Sequence, residues 1–184
     1  MRRFLEKHPE VSLEIEEVGP ADFVNAIDNS QVDFGVGTLE APVAGLREEV
    51  LVRETLVAAA LRSPTFTGGV PMTWKQLSAL PLVTVRSGYG IRGRIDAAAR
   101  EAGVQLRIAH EVSLLSTAVA LAANGLGVVV LPPSIVAHET KLVTQRLMRP
   151  TIERVIGVHL HKERSLSPAA KAFLQVLRHT VAEN

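Results

Sequence analysis

Residues 121–132, LAANGLGVVVLP, are the stretch that decides the fold. The apolar residues 114–124 are predicted to form a helix that Ser113 caps, because serine is a favoured N-cap residue. Gly125 is expected to end this helix, since glycine readily adopts the left-handed backbone conformation found at helix ends. Residues 127–131 then read as a short buried strand that a proline closes. This order of helix, glycine turn and buried strand predicts an α/β unit.

The same alternation of helix and strand extends toward the N-terminus of this stretch. It predicts a short helix capped by Thr73, a strand over 82–85, a glycine-rich turn over 87–90, a helix over 91–102 and a strand over 106–112. We therefore expect residues 63–151 to form one compact lobe around a sheet.

The two ends of the chain carry a second set of elements. Their patterns predict a strand over 11–18, a helix beginning at Pro20, a buried strand over 32–37, two strands within 46–61, a strand over 155–161 and an amphipathic helix from Pro168. Because strands and helices alternate throughout, the chain is predicted to be an α/β protein with largely parallel sheets.

The clearest break in composition is SPTFTGG, residues 63–69. We expect residues 1–62 and 152–184 to form lobe I and residues 63–151 to form lobe II, with two strands crossing between them. In such folds, strand ends and helix N-termini converge on a cleft between the lobes, and the cleft is the expected ligand site.

Composition excludes several classes of function. The formal net charge is +1 over 184 residues, which gives no electrostatic case for binding nucleic acid directly. The absence of cysteine excludes disulfides, thiolate metal sites and cysteine nucleophiles. The first residues lack a signal-peptide core, and no apolar run is long enough to cross a membrane. We therefore expect a cytoplasmic protein that has no membrane partner.

Two patterns suggest other chemistry. Residues 88–93, GYGIRG, match the dinucleotide-binding G-x-G-x-x-G, and Glu111 stands near the place of a ribose-binding acid. Arg86 and Ser87 separate the strand from the first glycine, however, and the surrounding unit is small for a dinucleotide domain. A dinucleotide enzyme thus remains the enzymatic alternative.

Two histidines share one face of the last predicted strand. His159 and His161 could bind a metal ion, but the sequence places no third ligand beside them. We expect both side chains to be solvated. We find no G-x-S-x-G motif or Ser/His/Asp order, so we expect no catalytic residue, metal or cofactor.

The order of these segments resembles the effector-binding domain of LysR-type transcriptional regulators. Residues 121–132 carry most of the resemblance, and residues 4–13, 32–37 and 166–173 match the family in the same order. The resemblance implies a type 2 periplasmic-binding-protein-like fold of two Rossmann-like lobes joined by two crossover strands. It also implies that the family's first strand and half of its first helix are absent from this sequence, as is its helix-turn-helix domain.

The resemblance also implies a function. A small anionic effector would bind between the lobes, and the full-length dimer or tetramer would contact DNA only through the absent helix-turn-helix domain. In the family, the first helix of one subunit meets the second lobe of its partner. An extracytoplasmic solute-binding protein has the same architecture and is the alternative binding module.

The expected effector site combines strand ends and helix N-termini from both lobes. Backbone N–H groups and the dipole of the helix after residues 87–90 can hold an anion, and an arginine can pair with a carboxylate through two hydrogen bonds. The serines could equally be helix caps, and the arginines solvated surface charges. The expected effector-binding residues are Gly19, Pro20, Thr38, Arg86, Ser87, Gly88, Tyr89, Arg92, Ser113 and Leu131.

Overall fold

The computed structural model describes residues 1–39, 41–87 and 90–182. Its elements, in chain order, are α1 (Arg2–Lys7), α2 (Pro20–Asp28), β1 (Gly35–Gly37), β2 (Leu46–Thr55), β3 (Val57–Leu61), β4 (Met72–Thr73), α3 (Trp74–Ser78), β5 (Leu82–Val85), α4 (Gly90–Glu101), β6 (Ile108–Val112), α5 (Leu115–Ala123), β7 (Val129–Leu131), α6 (Pro133–Val136), β8 (Leu142–Met148), β9 (Glu153–His161) and α7 (Pro168–Ala182). Among the described residues, no helix is long and apolar enough to span a membrane.

The chain divides into two compact units. One consists of Met1–Val52 with Val155–Asn184, and the other of Arg53–Arg154. The chain therefore crosses between the units twice, within β2 and near the start of β9. The sequence assigned β3 to the first lobe, but β3 forms its ladders with β7 and β8 of the second unit. Because a strand belongs with the strands it bonds to, the first crossing precedes β3.

The first unit is built on a three-stranded sheet in the order β1-β9-β2. Val158 and Leu160 of β9 are buried against Leu174 of α7, so the amphipathic stripe predicted for the last helix packs on the sheet. Ser167 caps this helix, since its hydroxyl accepts a hydrogen bond from Ala170 N at 3.1 Å. The final helix thus begins at the residue that the sequence indicated.

The strand predicted over residues 11–18 is absent. Residues 11–19 have no regular secondary structure, and the side chain of Ile15 is 68% exposed. The alternating pattern is present, but a strand also requires a neighbour to which its N–H and C=O groups can bond. The described part of the sheet supplies no ladder to this segment, and the prediction was therefore wrong.

The second unit contains a four-stranded sheet in the order β4-β8-β3-β7 and a β5-β6 pair. Val128 links the two groups, because Val128 N donates to Pro81 O and Val83 N donates to Val128 O, each at 2.8 Å. Helix α4 buries Ile95 and Ala98 on one face of this core, and α5 buries Ala118 and Ala122 on the other. Both helices therefore pack apolar residues in the core of this unit.

Helix caps agree only partly with the sequence. Thr73 forms a capping box with Gln76, in which each side chain bonds to the other residue's backbone N–H. Ser113 does not cap α5, because the N-cap residue is Leu114 and no side chain bonds there. The helix begins one residue later than predicted, and the expected cap at Ser113 was therefore wrong.

The pairing directions also differ from the expectation. The β1–β9, β3–β7 and β3–β8 ladders are antiparallel, whereas β4–β8 and β5–β6 are parallel. Crossing strand β9 is antiparallel to β1, and β8, which was not predicted from the sequence, is antiparallel to β3. The sheets are therefore mixed, although the class remains α/β.

Candidate functional site

Several predicted site residues share one edge of the second unit. Strands β5 and β6 are parallel, with Val85 opposite Val112, and Arg86 N donates to Val112 O at 3.0 Å. Strand β7 lies parallel beside β5, through the bridge between Leu82 and Val128. The carboxyl ends of all three strands therefore lie at one edge, which we call the strand-end edge; the predicted residues there are Arg86, Ser87, Ser113 and Leu131.

The side chains at this edge differ in exposure. Arg86, Ser87 and Ser113 are exposed, whereas Leu131 is 3% exposed and packs in the apolar core. The side chain of Leu131 therefore faces the interior, and only its backbone is available to a ligand. Gly88 and Tyr89, which were also expected in the site, lie outside the described residues.

Arg92, in the first turn of α4, is bound by protein groups. Its Nε lies 2.9 Å from both carboxylate oxygens of Asp96. Its Nη1 donates to the backbone oxygen of Val85 at 3.1 Å and to Oε1 of Glu111. The guanidinium thus joins α4 to the ends of β5 and β6.

The electrostatics of this cluster favour the charged guanidinium. Burial lowers the pKa of Arg92, but the hydrogen bonds to Glu111 and Asp96 and the attraction of both carboxylates outweigh this effect and raise it. Because Glu111 accepts a hydrogen bond from Arg92, the acid suggested by the dinucleotide pattern is already engaged by a cation.

The predicted residues of the first unit lie at α2 and after β1. Gly19 is the N-cap of α2 and Pro20 opens the helix; Gly19 O accepts hydrogen bonds from Asp22 N and Phe23 N. The Thr38 hydroxyl donates to Val155 O at 2.7 Å, which connects the segment after β1 to crossing strand β9.

The expectation that His159 is solvated was wrong. Its side chain is fully buried, with Nε2 at 3.2 Å from Gly37 O and 3.8 Å from the Glu48 carboxylate. The ring contacts Phe23 edge-to-face, with 5.4 Å between ring centroids. The glycines of β1 make room for Phe23, because a Cβ at Gly35 would lie 2.6 Å from its ring. His161 lies partly exposed, and its Nδ1 accepts from Glu163 N.

Two surface cavities lie away from the predicted residues. The larger, about 540 Å³, lies in the second unit beside Val136 and Val143. The smaller, about 230 Å³, lies in the first unit beside Arg164. Within the described ranges, no three metal-ligating side chains lie close enough together to hold a metal ion.

Two polar features near the strand-end edge were not predicted from the sequence. Asp96 was not identified, although its i,i+4 spacing from Arg92 on a predicted helix was a readable signal of an ion pair. Thr84 is 4% exposed, and no hydrogen-bond partner reaches its hydroxyl among the described residues. Its position in an apolar strand offered no such signal.

The fold is the two-lobe α/β architecture of periplasmic-binding-protein-like domains. A sequence model of the LysR substrate binding domain matches residues 1–182, so the chain belongs to this family. It is 28% identical over 177 residues to the uncharacterized HTH-type transcriptional regulator YbhD of Escherichia coli (strain K12), with 95% of this chain and 56% of YbhD covered. The probable HTH-type transcriptional regulator LrrA of Synechococcus elongatus is 29% identical, with 98% of this chain and 60% of LrrA covered. The chain thus spans less than two thirds of these relatives.

Solved structures agree with this fold. The effector binding domain of QuiR in complex with shikimate has a TM-score of 0.82 at 18% identity, with 100% of this chain and 88% of that chain covered. The regulatory domain of CcmR from Synechocystis PCC6803 in complex with 2-PG has a TM-score of 0.86 at 18% identity, with 98% and 88% covered. Full-length CbnR complexed with its target DNA has a TM-score of 0.80 at 20% identity, with 97% and 63% covered.

Proposed function

We propose that this domain senses a small anionic metabolite for a LysR-type transcriptional regulator. The observation that carries the proposal is the family match over residues 1–182, together with the convergence of three strand ends on one edge. Two solved structures of the same fold, those of the QuiR and CcmR domains, contain shikimate and 2-PG respectively. Both observations support a binding role rather than catalysis.

The strand-end edge offers the chemistry that an anion requires. Arg86 is exposed directly after β5, and α4 begins at Gly90 with its N-terminus toward the same turn. Backbone N–H groups at a helix N-terminus and an arginine side chain together suit a carboxylate or a phosphate. We therefore propose that Arg86, Ser87 and Ser113 contact the ligand with their side chains and Leu131 with its backbone. Gly88 and Tyr89, which lie outside the described residues, remain candidates from the sequence.

The candidate residues of the first unit lie at the start of α2 and after β1. Gly19 and Pro20 open α2, and Thr38 is bonded to crossing strand β9. A ligand that binds one conformation of the domain more tightly than another shifts the population toward that conformation. The resulting signal cannot exceed the difference in the ligand's affinity for the two conformations.

The regulatory output belongs to the complete protein. We propose that it acts as a homo-oligomer in the cytoplasm, where an attached helix-turn-helix domain contacts DNA. Leu114 and Leu126, at the two ends of α5, are 62% and 44% exposed, and Leu5 of α1 is 38% exposed. These apolar side chains suit the family's pairing of the first helix with the partner's second lobe.

The test is a thermal-shift and calorimetric screen of the purified chain with shikimate, 2-PG, other carboxylates, sugars, NAD and NADP. A ligand at 100 times its dissociation constant adds about 2.7 kcal/mol to the stability of the folded state, which is several degrees for a chain of this size. We expect a carboxylate or phosphate to raise the melting temperature. Stabilisation by a neutral sugar alone would contradict the anionic class.

Variants locate the site. Arg86→Ala should weaken binding by about tenfold or more, because a charge-assisted hydrogen bond is lost. Arg100→Ala is the matched control. Arg100 is exposed in the last turn of α4, and its substitution removes the same positive charge. An equal loss of ligand affinity in both variants would mean that the lower net charge alone, rather than a contact with Arg86, weakens binding. A NAD-induced shift that Gly88→Val abolishes would instead support a dinucleotide enzyme.

A further inference from the structure

Arg92 lies where three elements of the proposed effector site meet. Its own helix α4 follows the turn after β5, and Asp96 on the next turn of α4 binds its Nε. Its Nη1 donates hydrogen bonds to the backbone oxygen of Val85, the last residue of β5, and to the carboxylate of Glu111 in β6. One side chain therefore fixes the distance between the end of β5 and the start of α4.

The guanidinium is enclosed by these partners. The Arg92 side chain is 12% exposed, against 32% for Asp96 and 46% for Glu111. The two carboxylates raise the pKa of Arg92 in spite of its burial. One cation thus lies between two anionic groups. A ligand anion that approached this guanidinium would be repelled by both carboxylates, whereas Arg86, which directly follows Val85, is exposed.

We propose that Arg92 is a positioning residue of the effector site, which holds the end of β5 and the first turn of α4 at a fixed separation without contacting the ligand. This inference rests on the proposed function of the strand-end edge. Arg92 acts through its bonds to Val85, Asp96 and Glu111, which join β5, α4 and β6 before a ligand arrives. Elements that are already held in place lower the entropic cost of binding.

The first experiment needs no ligand. Hydrogen exchange is measured by mass spectrometry on peptides covering residues 86–95 of the unaltered chain and of Arg92→Lys, Arg92→Gln and Glu111→Gln. Lysine keeps the charge but cannot form the planar fork, and Glu111 is exposed enough that its substitution leaves the fold intact. We expect exchange about tenfold faster in all three, which corresponds to about 1.4 kcal/mol of local stability. Arg100→Gln is the control, and unchanged exchange in the three variants would overturn the proposal.

The second experiment uses inorganic phosphate as the anion, with binding followed through the backbone amide resonances of Ser87, Gly90 and Ile91. Removing the negative charge of Glu111 would strengthen phosphate binding if Arg92 contacted the anion directly, because the guanidinium would then be released. A positioning role predicts the opposite sign, a several-fold weaker binding in Glu111→Gln as in Arg92→Lys. Tighter binding in Glu111→Gln would therefore refute it.

The double variant separates the two roles further. If Arg92 acts through Glu111, Arg92→Gln combined with Glu111→Gln should bind phosphate no more weakly than the weaker of the two single variants. Additive losses would contradict the proposal. If phosphate does not shift these resonances in the unaltered chain, the anion site of the proposed function is refuted. The hydrogen-exchange data still test whether Arg92 holds the end of β5 and the start of α4 together.

Discussion

Gly127→Ala tests the junction that aligns the strand-end edge. Gly127 has φ +150°, a conformation that residues with a side chain rarely adopt, and a Cβ there would lie 2.6 Å from Pro81 O. This oxygen accepts the hydrogen bond from Val128 N that joins β7 to β5. The substitution should therefore strain the backbone at residue 127. It should also displace the start of β5, the strand that ends next to Arg86.

The magnitude follows from two contributions. An unfavourable positive φ costs about 1–3 kcal/mol, and forcing an extra carbon against fixed backbone costs about 1–3 kcal/mol more. We expect a loss of about 3–4 kcal/mol. For a chain of this length each kcal/mol lowers the melting temperature by about 2–4 °C, so the expected decrease is about 6–16 °C.

Gly103→Ala is the matched control. Gly103 has φ +66°, but a Cβ there would meet nothing within 4 Å. Only the conformational contribution applies, about 1–2 kcal/mol. Both variants are compared by circular dichroism during heating and by urea unfolding. Equal stability of the two variants would refute the reasoning, because the contact with Pro81 O would then have no measurable cost.

Three further substitutions test local features of the fold. Phe4→Ala removes a fully buried ring that lies 5.1 Å, centroid to centroid, from Phe173, so we expect a loss of about 3–5 kcal/mol in urea unfolding and faster proteolysis of α1. Thr73→Ala removes the capping box of α3 and should cost about 1 kcal/mol in the same assay, with Thr73→Ser restoring most of it. Arg164→Ala removes donors to Ile27 O and Asp28 O, both at 2.7 Å, and should lower stability by about 1 kcal/mol; Lys162→Ala, an exposed neighbour, should change it by less than about 0.5 kcal/mol.

Signals that depend on neighbouring residues in the chain were read correctly. Thr73 and Ser167 cap their helices because an N-cap bond joins residues only two or three positions apart. The amphipathic spacing predicted for α7 placed the correct face in the core. The order of these local elements was sufficient for the family and for the two-lobe α/β class.

Signals that depend on distant partners were not readable. The alternating segment 11–18 has the pattern of a strand, but strand formation requires a neighbouring ladder that no local pattern supplies. His159 alternates with apolar residues as a solvated histidine would, yet glycines in β1 and the ring of Phe23 enclose it. Its burial is a property of three elements that are far apart in the sequence.

The candidate site divides in the same way. The sequence by itself placed a glycine-rich segment between a predicted strand and a predicted helix, with Arg86 and Arg92 close to it in the chain. Only the tertiary structure showed that the two arginines have different surroundings. The β5–β6 pairing brings Glu111 against Arg92, and the resulting ion pairs engage that guanidinium, while Arg86 stays exposed. An ion pair between residues of different strands depends on the register of their pairing, and the register is set by the packing of the whole sheet.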